Sequence, residues 1–225
     1  ESKLKYPDLI EERDEALEIL PDYIRQVAPA KAPIELVVKI GVPNEQIIRV
    51  AERANAELLV VGAYGKGYKE GNFLGSTLQK VLRNSCCPVL AVKEALDGNA
   101  FRKIAFATVF NASGKSAFEK ILPLAKAFKS SLHLLYVNTP EHFVNSAESE
   151  RLMTEFAKGH EQFVIHRHVY NHKEAENGII EFCQNQGIKL VAVVSADRKH
   201  ASSYVVGTTE TLIFKFDAGI LSVKV

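Results

Sequence analysis

Three glycines and two hydroxyl residues share one segment whose spacing suits the binding of an anion. They form the pattern Gly62-x2-Gly65-x9-Gly75, followed directly by Ser76 and Thr77. A glycine lets a backbone approach a phosphate because it has no Cβ, and free N–H groups at the start of a helix carry partial positive charge. The segment therefore predicts a phosphate-binding loop.

A strand and a helix must position this loop. Residues 57–61 form an apolar run typical of a buried parallel strand, and residues 76–83 have the spacing of a helix. Lys66 and Lys69 lie between the glycines and can add positive charge. The sequence leaves open whether these lysines contact a phosphate or are solvated loop residues.

Helices and strands alternate along the whole chain, which predicts an open α/β sheet with right-handed crossovers. Before the loop, the patterns predict helices over 7–27 and 45–55 and a strand over 34–40. After it, they predict strands over 88–92, 104–110, 132–137, 163–169, 189–194 and 219–225. The predicted helices in this part are 115–129, 147–161, 174–186 and one that begins after Gly207.

The second half of the chain repeats the first at a constant offset of 132 residues. Leu58 matches Leu190 and Gly75 matches Gly207, and near the end one deleted residue shortens the offset, so that residues 88–92 match 219–223. We therefore expect two homologous α/β domains in tandem. The first covers residues 1–95, a linker covers 96–101, and the second covers 102–225.

The first repeat lacks a unit that the second one has. The strand, helix and strand predicted over 102–137 have no counterpart before residue 34. In an open parallel sheet of this type, that unit supplies the strands between 34–40 and 57–61, and without it buried backbone groups stay unpaired. We therefore expect a native segment upstream of Glu1.

The glycine pattern resembles a known family signature. Gly62-x2-Gly65-x9-Gly75-Ser76 is similar to the G-2x-G-9x-G-(S/T) nucleotide motif of the universal stress protein family, of the kind that binds ATP. The turn at Gly41-Val42-Pro43 and the ending CPVLAVK are similar as well. The resemblance covers both repeats, so the chain is identified as a tandem member of this family.

The resemblance implies a fold, a ligand and a role. The implied fold is two tandem open parallel five-stranded sheets flanked by helices, of the adenine nucleotide alpha hydrolase-like type. It implies that repeat one binds ATP through the three glycines, Ser76, Thr77 and Lys66 and acts as a regulatory module in the stress response. Family members contact ribose and adenine from their first two strands, and in repeat one those positions fall in the expected upstream segment.

Repeat two departs from the signature. Val194 stands at the position of Gly62 and Asp197 at that of Gly65, while Gly207 and Thr208 are retained. A carboxylate repels phosphate and added Cβ atoms narrow its approach, so we expect repeat two to bind ATP poorly. Family domains pair through their last strands. The resemblance therefore implies an intramolecular pseudo-dimer through residues 90–92 and 220–223, and it is compatible with a homodimer.

Two other patterns resemble functional sites, a P-loop and a metal site, but we interpret both as structural features. Gly114-Lys115-Ser116 ends like a P-loop, but Val109 stands at its required first glycine, so we interpret it as a helix start capped by Asn111 or Ser113. His166 and His168 project from the same face of a predicted strand, with His160 and His172 nearby. They have no evident carboxylate or cysteine partner, so we predict edge-strand histidines and no metal.

Composition narrows the function classes. The chain has 225 residues, is 47% apolar and has a net charge of +1, with no apolar run near the roughly 18 residues of a membrane span. We therefore expect neither a membrane nor a nucleic-acid partner. Cys86, Cys87 and Cys183 form no CxxC pair, which favours a reducing cytoplasm and small buried side chains.

Spacing also identifies no nucleophile or general base, so we predict no catalytic residue and, at most, slow ATP hydrolysis. Three hypotheses stay open on the sequence: a nucleotide-binding regulatory module, an enzyme acting on the nucleotide, and an interaction protein with a vestigial site.

Overall fold

A computed structural model describes residues 6–27, 33–64, 74–195 and 207–224. The chain divides into two compact units, Glu1–Val50 and Ala51–Val225. In the parts of the chain that are described, no helix combines the length and apolarity needed to cross a bilayer.

The first unit contains helix α1 (Tyr6–Val27) and the start of helix α2 (Pro43–Arg53). Helix α1 runs through Pro21, so the predicted helix is confirmed as one element. Gly41 has φ of +142°, a conformation that L side chains rarely adopt, which explains glycine at this turn. Pro43 then occupies the first helical position, where its missing N–H costs no hydrogen bond.

The second unit contains a seven-stranded sheet. Its strands are β1 (Leu59–Gly62), β2 (Val89–Val92), β3 (Lys103–Ala107), β4 (Ser131–Asn138), β5 (Ile165–Asn171), β6 (Leu190–Ser195) and β7 (Gly219–Lys224). Their order across the sheet is β1-β2-β7-β6-β3-β4-β5. The α/β class is confirmed. The described strands of the two repeats form one continuous sheet, to which repeat two contributes five parallel strands and repeat one contributes two.

Five helices of this unit follow the predicted pattern. They are α3 (Ser76–Asn84), α4 (Ala112–Phe128), α5 (Ser146–Ala157), α6 (Ala175–Gln186) and α7 (Thr208–Lys215). Helix α5 ends four residues before the predicted end at 161. The expected linker contains a short 3-10 helix, Gly98–Phe101, whose start is capped by the carboxylate of Asp97. Phe101 stacks on Phe128 with ring centroids 4.4 Å apart, so this segment is packed.

The main core lies between one face of the sheet and helices α4 and α5. Phe106, Phe118 and Phe156 form an aromatic cluster with ring centroids 5.2–5.9 Å apart. Leu90 and Leu221, from the last strands of the two repeats, are buried in the same cluster. The core therefore includes side chains from both repeats.

Strand register supports the internal repeat. Leu59 on β1 pairs with Val89 on β2, and their counterparts Val191 and Ile220 pair in the same way on β6 and β7. The other three pairs of β1 with β2 match β6 and β7 equally well. The two repeats thus use the same local hydrogen-bond pattern.

The last strands of the repeats pair with each other, as predicted. Strand β2 runs antiparallel to β7, and Leu90 pairs with its own counterpart Leu221. On either side, Val89 pairs with Ser222 and Ala91 with Ile220. A local two-fold axis passes between two residues that pair with each other and are counterparts, because symmetry exchanges the two partners.

Two lysines follow the same symmetry. Lys93, just after β2, donates a hydrogen bond from Nζ to the carbonyl of Phe214 near the end of α7, at 3.0 Å. Its counterpart Lys224, at the end of β7, donates to the carbonyl of Arg83 near the end of α3. The last carbonyls of a helix carry partial negative charge, so each lysine stabilises a helix of the other repeat.

The prediction of a strand over 34–40 is wrong. Residues 33–40 form neither helix nor strand, and Ile34 and Val37 are nearly half exposed. The counterpart of this segment, β5, is a strand because it pairs with β4 along seven residues. Among the described residues, 33–40 have no strand beside them in the sheet, and a strand needs such a neighbour to pair its backbone groups.

The sequence Gly114-Lys115-Ser116, which ends like a P-loop, lies at the start of helix α4. Strand β3 ends at Ala107, three residues before the predicted end, and Phe110 has φ of +54°. The side chain of Asn111 caps α4 by accepting a hydrogen bond from the N–H of Gly114 at 2.9 Å. The interpretation as a capped helix start is therefore confirmed.

The cysteines follow the prediction with one exception. Cys87 and Cys183 are buried, as expected for small apolar side chains. Cys86 is exposed, which corrects the prediction for that residue.

Candidate functional site

The described part of the predicted phosphate site lies where β1 ends and α3 begins. Gly62 is the last residue of β1, Gly75 is the N-cap of α3, and Ser76 and Thr77 are its first two residues. Because α3 leads back to a strand parallel to β1, both glycines lie at the carboxyl edge of the sheet. The other predicted site residues, Gly65 and Lys66, lie outside the described residues, as does Lys69.

Packing gives no reason for glycine at either described position. Gly75 has φ of −61° and ψ of 141°, which any residue adopts, and a Cβ built there meets no atom of the described residues within 4 Å. A Cβ on Gly62 meets a backbone oxygen at 3.9 Å, an ordinary contact. A ligand that must approach the backbone closely does give a reason, since a Cβ would obstruct it.

The start of α3 is electrostatically suited to an anion. Its first intrahelical hydrogen bond runs from the N–H of Gln79 to the carbonyl of Gly75, so the preceding N–H groups, on Ser76, Thr77 and Leu78, have no intrahelical acceptor. These groups carry the positive end of the helix dipole. The first turn contains no acidic residue, and Ser76 is exposed.

Helix α7 of repeat two begins differently. The buried side chain of Glu210 accepts a hydrogen bond from the N–H of Gly207 at 3.2 Å, which is one of the two hydrogen bonds of a capping box. The hydroxyl of Thr208 donates to a carboxylate oxygen of Glu176, in the first turn of α6, at 2.6 Å. Repeat two therefore places two of its own carboxylates at the start of α7, and their counterparts in the sequence of repeat one are Asn44 and Leu78.

A cavity of about 540 Å³ lies in repeat two at the carboxyl ends of β3, β4 and β6. Ala107, Leu135, Ile179 and Val193 are among the apolar residues of its wall. Val194, which replaces Gly62 of repeat one, also lines it. In an open α/β sheet this is the crevice where the strand order reverses and where ligands bind.

The predicted pair of histidines is part of a larger cluster. His166 and His168 lie on the same face of β5, and buried His133 on β4 packs against both, with ring centroids 4.7 and 5.2 Å away. The Nδ1 of His133 is 3.1 Å from the Nε2 of His168. Burial lowers the pKa of His133 to about 4, and electrostatic repulsion from His166, His168 and Lys103 contributes to this shift. Burial also lowers the pKa of His168.

The described residues contain no group of three histidine, cysteine, aspartate or glutamate side chains placed to hold a metal ion. His160 and His172 lie outside the cluster. The Nε2 of His160 is 3.1 Å from a carboxylate oxygen of Glu119, and the Nε2 of His172 is 3.7 Å from one of Glu181. Their positions are explained by these local contacts.

Sequence reasoning missed the residues that most distinguish the two repeats. Glu210 stands three residues after Gly207, which is the spacing of a capping box and was available as a signal. Glu176 and His133 carry no such signal, because their partners lie on other elements of the fold.

The fold described above defines a class: tandem α/β repeats in which helices connect parallel strands. Within this class, the chain matches the model of the Universal stress protein family over residues 2–93 and 100–213. The match covers well over half of the chain and both repeats. The chain belongs to the universal stress protein family.

Curated relatives agree with this assignment over short stretches. A universal stress protein of Methanocaldococcus jannaschii is 44% identical over 54 residues, which are 24% of this chain and 32% of the relative. Another universal stress protein of this organism is 33% identical over 57 residues, covering 25% and 35%. Each match thus spans about a third of the relative's length.

Solved structures share the fold. A universal stress protein from Archaeoglobus fulgidus superposes with a TM-score of 0.81 at 21% identity, covering 99% of this chain and 84% of that one. A protein described as a putative universal stress protein from Pseudomonas aeruginosa gives a TM-score of 0.62 at 18% identity, covering 100% and 80%. At these identities the likeness establishes the arrangement of helices and strands.

Proposed function

We propose that this protein binds ATP through repeat one and acts as a regulatory module of the stress response. Gly62, Gly65 and Gly75 let the phosphates approach the backbone. Ser76 and Thr77 donate to phosphate oxygens from the start of α3, and Lys66 adds positive charge. ATP occupancy changes which partners the protein binds.

The observation that carries this proposal is the start of α3. Neither its backbone conformation nor packing among the described residues requires a glycine at position 75, and Gly75 precedes a helix turn that has free N–H groups and no acidic residue. An anion stabilises such a helix start, because it neutralises the positive end of the dipole. The complete glycine spacing of the family signature supports ATP as that anion.

Repeat two serves as the structural partner of repeat one in this proposal. Repeat one spans residues 1–95 and repeat two spans 102–225, and they form an intramolecular pseudo-dimer about the Leu90–Leu221 pair. The carboxylates of Glu176 and Glu210 disfavour a phosphate at α7. The pseudo-dimer acts in the cytoplasm, alone or as a homodimer.

The test uses Gly75→Asp on the full chain, because aspartate is a good N-cap and will not weaken the apoprotein. In the wild type, ATP at a hundred times its Kd stabilises the native state by about 2.7 kcal/mol and raises Tm by roughly 5–10 °C. The variant should lose this shift in a thermal melt, because its carboxylate occupies the phosphate position and repels it. Gly65→Asp, which copies Asp197 of repeat two, should do the same.

Gly98→Asp is the matched control. It is the same substitution at an exposed glycine outside the site, where a Cβ also meets nothing within 4 Å. It should keep the full ATP shift. A wild-type Tm that millimolar ATP leaves unchanged would contradict the proposal and leave an interaction protein with a vestigial site.

A further inference from the structure

The carboxyl edge of repeat two combines an apolar cavity with an arrangement of charge that is hostile to phosphate. We propose that this cavity is a second ligand site, specific for neutral, mostly apolar small molecules that carry hydroxyl or amide groups. This site is separate from the ATP site proposed in repeat one, and neither proposal depends on the other.

The size and wall of the cavity fit such a ligand. Its volume of about 540 Å³ lies within the range of roughly 300–1,000 Å³ that small-molecule sites occupy. Ala107, Leu135, Ile179 and Val193 give it apolar surface, so a ligand gains free energy by moving its own apolar surface out of water.

The described polar residues that line the cavity are uncharged. Thr108, Asn111, Ser113 and Thr208 line it, and each can exchange hydrogen bonds with a hydroxyl or amide group. Among the described residues that line the cavity, none carries a positive charge. An anionic ligand would therefore lose its hydration without gaining a counter-charge from them.

The helix starts at the cavity do not restore a preference for anions. Helices α4, α6 and α7 each place a residue of their first turn or cap against it. Asn111 already caps α4, and Glu176 and Glu210 place carboxylates in the first turns of α6 and α7. These carboxylates offset the positive ends of two helix dipoles and repel a phosphate.

One side chain of the cavity wall differs from its counterpart in repeat one in a way that favours an apolar ligand. Val194 occupies the place of Gly62 and lines this cavity, so it contributes apolar surface where repeat one leaves the backbone bare. The substitution removes the close backbone approach that a phosphate needs and adds a contact that an apolar ligand can use.

The test compares two probes that differ in one phosphate, 1-naphthol and 1-naphthyl phosphate, by equilibrium titration of the full chain. We expect 1-naphthol to bind at least about tenfold more tightly, because Glu176 and Glu210 repel the phosphate and no described residue of the cavity wall supplies a cation. Ala175→Phe fills the cavity from the start of α6 and should weaken 1-naphthol binding by at least about tenfold. Ala147→Phe, at an exposed position in the first turn of α5, should leave it unchanged.

A charge variant tests the selectivity without filling the cavity. Glu176→Gln combined with Glu210→Gln keeps the hydrogen-bond acceptors and removes both charges. It should bring the affinities of the two probes to within about threefold. Equal affinities in the wild type, or 1-naphthol binding that Ala175→Phe does not weaken, would overturn the proposal.

The two sites can be separated by exchanging variants. Gly75→Asp should remove the ATP shift and leave 1-naphthol binding intact, whereas Ala175→Phe should have the opposite effect. Each proposal can thus fail while the other holds.

Discussion

Helices α3 and α7 begin at equivalent places in the two repeats, but the N–H groups of their first turns, which have no intrahelical acceptor, are treated differently. At α3, Gly75 leaves the first N–H groups open and no acidic residue lies in the first turn. At α7, Glu210 accepts a hydrogen bond from the N–H of Gly207, and Glu176 binds the hydroxyl of Thr208. One helix start is left available for a ligand, and the other is satisfied by the protein itself.

This difference shows which features the two repeats share and which they do not. The strand register is the same in both repeats: every residue pair between β1 and β2 has its counterpart between β6 and β7. What differs is a small set of side chains at the carboxyl edge, where substitutions do not disturb the sheet. An open helix start lowers stability and a capped one raises it, so we expect α7 to be the more stable of the two helix starts.

The largest expected effect concerns the contact that the repeats share. Leu90→Ala and Leu221→Ala should each lower the free energy of unfolding by about 2–5 kcal/mol, because both side chains are almost fully buried in one core. Since they pair with each other across the local two-fold axis, the two costs should be similar. Urea denaturation of each variant measures them.

Leu17→Ala is the control, because Leu17 lies on α1 with 41% of its surface exposed. It should change the free energy of unfolding by no more than about 0.5 kcal/mol. If only one of Leu90→Ala and Leu221→Ala were costly, the two repeats would not share the contact equally.

The internal repeat explains how much of this fold the sequence predicts. The offset between Leu90 and Leu221 was readable from the sequence, and with it the pairing of the last strands. The segment 34–40 has equally good strand residues, but a strand depends on a neighbour that lies elsewhere in the chain. Local pattern therefore predicts where an element can form, and the presence of a partner decides whether it does.

The candidate site shows the same division. The glycine spacing predicted that Gly62 and Gly75 lie at one edge, because strand and helix signals are local. The hydrogen bond between Thr208 and Glu176 joins two helices and has no local signal. The charge that separates repeat two from repeat one was thus only partly visible, through Asp197 and the capping position of Glu210.

A second effect should appear in the response to acid. The pKa of His133 is about 4 in the folded protein, against about 6.5 in an unfolded chain. The folded state therefore binds this proton less well. The free energy of unfolding therefore keeps its full value above about pH 6.5 and decreases as the pH falls toward 4. At pH 5 it should be about 2 kcal/mol lower than at neutral pH. Replacing His133 by asparagine should remove that part of the loss in urea titrations at pH 7.5 and pH 5.

His142→Asn makes the same substitution at an exposed histidine and should keep the pH dependence of the wild type. The counterparts of His166 and His168 in repeat one are Ile34 and Leu36, so this acid response belongs to repeat two. A pH dependence that His133→Asn left unaltered would place its origin outside the histidine cluster.

The smallest effects test the helix starts directly, by making each resemble the other. Glu210→Ala should lower the free energy of unfolding by about 1 kcal/mol, because it removes the acceptor for the Gly207 N–H. Glu210→Gln keeps an acceptor and should cost less. Gly75→Asp should raise stability by a few tenths of a kcal/mol, since aspartate caps a helix better than glycine. In thermal melts without ligand, a lower Tm for Glu210→Ala and a higher Tm for Gly75→Asp would show that the uncapped start of α3 costs stability that α7 retains. A lower Tm for Gly75→Asp would mean that the Gly75 backbone has a structural role.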